Sequence, residues 1–310
     1  TLLDGDDTID GGCGDDPDAL FGDDGPRLPW FITTVGGNDT IRGRGGDDLI
    51  EGGQQGDRIR GEAGDDMITG GDSEPNWIDG GDDDDRIVGG EAGDTIFGGD
   101  GIDRIEGRGG ADLLFGEAGD DVLKGGDGPD VIVGGGGVDE VFGDAGDDLL
   151  VVIDTASGGA YAASPLGAAA DLYDGGGGLD TILVVADTNT DLTDAFVTLL
   201  GDARKHAVVA VEVALLTGGA SANTIDASGF SGTTAIRGLA GVDTLIGGSG
   251  IDLIFGGVGN DTIQGNAGPD DLHGGDDNDT IDGGAGDDTI RGGGGSNRLT
   301  GGADDDTFIY

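Results

Sequence analysis

The chain has almost no basic side chains: 14 Lys and Arg stand against 64 Asp and Glu over 310 residues, a net charge of −50. That shortage excludes nucleic acid as a partner, because binding it requires a cationic surface. An anionic membrane surface is disfavoured for the same reason. Cysteine is nearly absent, and the single Cys13 excludes an internal disulfide framework. No apolar run approaches the ~20 residues of a membrane-spanning helix. The most apolar stretch, 207–216, is ten residues long and contains Glu212. Only two histidines occur, His206 after Arg204-Lys205 and His273. There is no H-E-x-x-H pair, Gly229-Phe-Ser-Gly232 is not a G-x-S-x-G nucleophile turn, and the Gly-rich stretches lack the lysine of a phosphate loop. These absences read as a non-catalytic chain. The sequence opens at Thr1 with neither an initiator Met nor a signal pattern, which reads as a processed form or part of a longer protein.

So much acid with only 5% aromatic residues would ordinarily mean disorder. The placement of the acids argues otherwise, since they recur at fixed positions in a nine-residue repeat. Its template is G-G-x-G-x-D-x-U-x, with U a large apolar residue, as in Gly61–Thr69 and Gly98–Glu106. Copies begin at 34, 43, 52 and 61, at 70 with one inserted residue, and then at 80, 89, 98, 107, 116, 125, 134 and 143. A second run begins at 238 and continues every nine residues to 301, and a lone copy spans Gly175–Leu183. Across these twenty-two copies the sixth residue is Asp except at Asn76 and Asn297, and the eighth is always Ile, Leu, Val or Phe. A period this strict implies one repeated structural unit.

Glycine at positions one, two and four is expected to supply positive φ and to let backbones approach closely. The remaining x-U-x triplet, such as Thr95-Ile96-Phe97, is expected to form a short strand with its central side chain on one face. Two nonapeptides then make one coil of an all-β, right-handed parallel β-roll. Its turns stack in two columns, each turn above the one eighteen residues earlier. One large apolar side chain per nine residues does not offset the backbone entropy of so Gly-rich a chain. A cation held by carboxylate and carbonyl oxygens between stacked turns would supply what is missing. Folding and binding would then be one event.

On these residues the chain resembles the RTX (repeats-in-toxin) calcium-binding β-roll of secreted bacterial toxins, proteases, lipases, adhesins and surface-layer proteins. The resemblance covers about two thirds of the sequence. It implies that the sixth-position residues and turn carbonyls coordinate calcium between a turn and the next turn of its column. One implied column is Asp39, Asp57, Asn76, Asp94, Asp112, Asp130 and Asp148, opposite Asp48, Asp66, Asp85, Asp103, Asp121 and Asp139. The second run has Asp243, Asp261, Asp279 and Asn297 opposite Asp252, Asp270, Asp288 and Asp306, and the lone copy adds Asp180. The gaps between stacked turns imply on the order of 17 calcium ions, roughly +34 against the −50. For a single isolated copy, turn chemistry without a metal explains the Asp equally well; for tandem copies it does not.

The expected organisation is an N-terminal β-roll over 1–151, degenerate over 1–33, an irregular and wider β-solenoid spacer over 152–237, and a C-terminal β-roll over 238–310. Residues 23–30 read as a loop with Pro26 and Pro29, and 156–170 as a small-residue loop. Strands are expected at 182–185, 207–216, 223–226 and 235–237, and 191–200 reads equally as a short helix or a strand. Cys13 reads as an inert turn thiol. Trp30 and Trp77 read as covers for exposed edges, with a sugar platform as the alternative. The resemblance implies a secreted, extracellular calcium-binding structural protein of a cell surface, fibre or matrix. The alternatives are the C-terminal folding and secretion module of an enzyme or toxin, and a catalytic module in the spacer. Apolar Leu2-Leu3 and Phe308-Ile309-Tyr310 leave both solenoid ends without a polar cap, which implies head-to-tail or lattice self-association.

Overall fold

The structure, a computed structural model, describes residues 8–10, 32–33, 37–71, 74–153, 172–185, 190–199 and 206–309. The 23–30 and 156–170 loops, Cys13, Trp30 and Leu2-Leu3 lie outside the described residues, as does the His206 side chain. Among the described residues there is no helix. The chain divides into two compact units. One is residues 1–150 with 175–178, and the other is 151–174 with 179–310.

In the first unit successive strands alternate between two parallel sheets. One sheet stacks Thr40–Gly45, Arg58–Ala63, Trp77–Asp82, Thr95–Asp100, Leu113–Ala118 and Val131–Gly136. The other stacks Leu49–Glu51, Met67–Thr69, Arg86–Gly90, Arg104–Gly109, Val122–Asp127 and Glu140–Ala145. Each residue pairs with its equivalent eighteen residues on, Ile96 with Leu114 and Ile105 with Leu123. Across the inserted residue the step is nineteen, Ile59 with Ile78. One coil is therefore two nonapeptides. The eighth residue of each points inward, so that Ile41, Ile50, Ile59, Ile68, Ile78, Ile87, Ile96, Leu114 and Leu123 are all fully buried.

Many strands of the regular coils run six residues instead of the expected three, because they continue into the glycines of the next copy. In Thr95–Asp100 the inward residues are Ile96 and then Gly98. Position one therefore needs glycine for space, and it does not use positive φ. A Cβ on Gly256 would lie 2.5 Å from both Asp261 Oδ2 and the Gly274 carbonyl oxygen. The left-handed residues are at positions two and four, as at Gly99 (φ 122°) and Gly101 (φ 148°), and at position two even Arg108 (φ 81°) and Glu117 (φ 75°) adopt that region to turn the corner.

The second unit has the same two-sheet plan with wider coils at its start. Thr181 pairs with Val213, Val213 with Thr233, and Thr234 with Asp252, so the step shortens from thirty-two residues to twenty and then eighteen. The regular roll follows through Asp252–Val258, Asp271–Asp276 and Thr289–Gly293 in one sheet, and Thr262–Ala267, Thr280–Ala285 and Arg298–Ala303 in the other. The single strand expected over 207–216 is two, His206–Val209 and Val213–Thr217, in different sheets. The chain corners between them at Ala210 (φ 50°). Residues 191–200 supply strands and no helix: Thr190–Thr193 and Phe196–Leu199 form an antiparallel pair.

Candidate metal columns

Each turn delivers its sixth residue to the interior just before the next strand begins. Every sixth-position residue from Asp39 to Asp288, Asp180 included, is no more than 3% exposed. Asn297 and Asp306, in the last coil, are half-buried. Stacking brings together the residues of each column in turn. The backbone N–H of Asp94 donates to Asp112 Oδ1 (2.7 Å), and that of Asp112 to Asp130 Oδ1 (2.8 Å). In the facing column Asp85 donates to Asp103 (2.8 Å) and Asp103 to Asp121 (2.9 Å). Asp39 and Asp48 donate in the same way to Asp57 and Asp66, and Asp130 to Asp148. The second unit repeats the ladder from Asp243 through Asp261 to Asp279, and from Asp252 through Asp270 and Asp288 to Asp306. The N–H of Asp180 donates to Glu212 Oε2 (3.0 Å).

The ladder occupies one carboxylate oxygen per residue. The other, Oδ2, is buried without a hydrogen bond in Asp57, Asp66, Asp85, Asp94, Asp103, Asp112, Asp121, Asp130, Asp261, Asp270, Asp279 and Asp288. A buried anionic oxygen without a partner is costly. Each lies beside its own turn's first glycine, whose missing Cβ leaves a space that a carbonyl oxygen of the next coil also borders. The place a Cβ would take on Gly52 is 2.5 Å from both Asp57 Oδ2 and Gly70 O. Among the described residues no three His, Cys, Asp or Glu side chains converge on one point. Any ion here must therefore draw on backbone carbonyls as well as carboxylates. All-oxygen, anionic donors without nitrogen or sulfur suit a hard divalent cation.

Burial pushes these carboxyls far above their ordinary 3.8, helped at Asp57, Asp66, Asp85, Asp112, Asp121, Asp261 and Asp270 by the like charges of the same column: Asp85 and Asp121 to about 8, Asp57, Asp66, Asp112 and Asp270 to about 7, and Asp94, Asp103, Asp130 and Asp261 to about 6. A carboxyl whose pKa is raised on folding stabilises the fold fully below its unfolded pKa, and this contribution is lost as pH rises through the folded value. Without calcium, β structure should therefore increase as pH falls from about 8 towards about 5. Circular dichroism in chelator checks this, and β content that falls over that range would contradict it.

At the two Asn positions the geometry changes. Asn76 Oδ1 accepts the Asp57 N–H (2.9 Å), which leaves Nδ2 to donate to Asp94 Oδ1 (3.1 Å). A Cβ on Gly70 or on Gly292 would lie 2.7 Å from Nδ2 of Asn76 or Asn297, where an Asp presents Oδ2. An amide nitrogen cannot ligate a cation there.

Position five carries a second ladder that the template, with its x, does not show. Its polarity is reversed: the N–H of Asp65 donates back to Asp47 Oδ1 (3.1 Å), Asp84 to Asp65 (3.1 Å) and Ile102 to Asp84 (2.8 Å). These carboxylates are exposed. In the first unit the middle of the other column has no side chain to build it, with Gly56, Pro75, Gly93 and Ala111 at position five. Two further residues, Asn223 and Thr234, occupy sixth positions in copies too altered to be seen in the sequence, Gly218–Asp226 and Gly229–Arg237. A Cβ on Gly218 would lie 2.6 Å from Asn223 Oδ1 and 3.0 Å from Gly238 O, the cradle of the regular turns. Gly218-Gly219 five residues before Asn223, with Ile225 two after it, was the available signal.

Trp77 lies on an outer sheet face and not at an edge. Arg58 sits over its ring at 4.3 Å and Arg60 at 5.2 Å, and Phe97 packs beside it at 5.7 Å. His273 stacks on Phe255 (4.5 Å) with Nε2 3.0 Å from Asp271 Oδ1, and Arg291 also reaches Asp271.

The sequence of the RTX calcium-binding nonapeptide repeat (4 copies) matches over residues 31–59, 51–74, 71–96, 88–123 and 115–150, and again over 237–272 and 273–308. A search of curated proteins gives no match. The matched segments cover well over half the chain and coincide with the coils whose buried carboxylates form the columns. The chain belongs to the RTX calcium-binding nonapeptide repeat family.

Proposed function

We propose that this chain is an extracellular structural β-roll that folds on binding calcium and contributes to a cell-surface, fibre or matrix assembly. The observation that carries the reading is the pair of columns in which buried carboxylates such as Asp103 and Asp112 keep one oxygen for the ladder and leave the other buried without a hydrogen bond. The sixth-position residues from Asp39 to Asp306 would hold the ions with turn carbonyls, while Asn76 and Asn297 would hold them weakly. Calcium supplies the positive charge that lets successive carboxylates stack about 4.8 Å apart, the spacing of neighbouring strands. Extracellular modules bind calcium at about 0.1–1 mM, so the roll would fold outside the cell and stay open at intracellular calcium. Its role would be structural and not catalytic.

The assembly part is tested by the size of the protein in solution. In millimolar calcium, light scattering should show species larger than one chain that return to single chains in EGTA. Monomers at high concentration in calcium would remove the assembly part and leave the calcium-binding roll.

A further inference from the structure

Two turns of the second unit depart from the rest in how the sixth residue is satisfied. Asp252 has no unpartnered oxygen. Its Oδ2 accepts the Gly248 N–H (2.7 Å), and its Oδ1 accepts both the hydroxyl (2.7 Å) and the N–H (3.1 Å) of Thr234. Its neighbour in the column is thus a neutral, fully buried threonine where other coils have a carboxylate. In the facing column the same place is taken by Asn223, whose Oδ1 accepts the Gly219 N–H (2.9 Å). Gly219 and Gly248 lie outside the left-handed region used by Gly257, Asn266 and Gly275 at the same position of regular copies.

A second observation is independent of these bonds. From Val213 to Gly241 the only charged residues are Asp226 and Arg237, in a chain of net charge −50. The repulsion that opposes folding elsewhere without ions is absent here. The segment has its own core as well: Ala214, Leu216, Ile225, Ala227, Phe230 and Ile236 are buried. Phe230 wedges beneath the 247–252 turn, with its carbonyl accepting the Ser249 N–H (3.1 Å).

We infer that the turns Gly218–Asn223 and Gly247–Asp252 are closed by the protein's own donors in place of calcium, and that they form an ion-independent seam from which the second β-roll assembles. This rests on the calcium reading of the other turns and replaces that reading at Asp252, whose two oxygens are both satisfied by the protein. Metal-dependent stacking in the second unit then starts at Asp243 and Asp270. In a solenoid each coil is stabilised mainly by its neighbours, so a coil already in place lowers the calcium needed by the next. Order should spread from the seam towards Asp306 as calcium rises.

Hydrogen exchange of the full chain at stepped calcium concentrations reads this order. Amides of 213–246 should be protected at the lowest calcium, those of 252–267 next and those of 289–309 last. Protection appearing first at 289–309, or an unprotected seam at the step where 252–267 is already protected, would overturn the inference. Two variants separate it from the calcium reading itself. Thr234→Val should weaken low-calcium protection of 213–246 and leave the number of bound ions unchanged, whereas Asp270→Asn should lower that number. A reduced ion count in Thr234→Val would make the seam a metal site and overturn the inference. An unchanged count in Asp270→Asn would instead overturn the calcium reading of the columns.

Discussion

In EGTA at neutral pH the far-ultraviolet circular dichroism of the chain should lose most of its β signal, and added calcium should restore it cooperatively. The expectation follows from what the interior contains. Each coil buries two large apolar side chains, as Ile96 and Ile105 do, and also two carboxylates, as Asp94 and Asp103 do. The apolar pair alone does not offset the entropy of ordering eighteen backbones. Two buried carboxylates per coil, with an oxygen lacking any hydrogen, add to the cost. Positive charge brought in by an ion reverses the sign of that last contribution, and binding becomes folding. Only the seam around Phe230 should survive chelation. A full β spectrum in EGTA at neutral pH would contradict this.

The second large effect is expected at Asp112. It lies mid-column, accepting the Asp94 N–H and donating to Asp130, with Oδ2 unpartnered. Asp112→Ala removes an acceptor from the coil before it and a cation donor from its own, so both neighbouring coils are affected. The calcium midpoint of folding should rise by roughly 10–100-fold, the range for losing a group that orients a metal site. The same change at exposed Asp47, whose place in the other ladder bears on no buried group, should move the midpoint far less. Equal effects at Asp112 and Asp47, measured by calcium titration, would mean that overall charge and not the column governs folding.

Much of this was legible before any coordinates. The strict Asp at six and apolar residue at eight predict the coil, its eighteen-residue step and its core, because both side chains must return to the interior once per nonapeptide. What the period could not convey depends on neighbours one coil away. Position-one glycine is inward because a carboxylate from its own turn and a carbonyl from the next coil fill the space of a Cβ, as at Gly256. Nothing local to the strand says so, and the strands were accordingly read as half their length. The Asp47–Asp65–Asp84 ladder was hidden for a related reason: the other column has Gly56, Pro75, Gly93 and Ala111 at the same position, and a template averages both. Asn223 and Thr234 were missed because insertions broke the period and neither is Asp. The stretch 207–216 looked like one strand because hydropathy is continuous through it, whereas the corner at Ala210 and the contact of Glu212 with Asp180 divide it.

Whether the sixth-position carboxylates hold calcium is tested most directly by anomalous scattering from crystals grown in calcium. Two rows of peaks are expected, between stacked turns and beside the carboxylates of Asp103, Asp112, Asp121 and Asp130 in one unit and Asp261 and Asp270 in the other. The peak nearest Asn76 should be weaker than the one nearest Asp112. Peaks confined to the exposed position-five acids, or a well-folded roll with no peaks between its turns, would contradict the account.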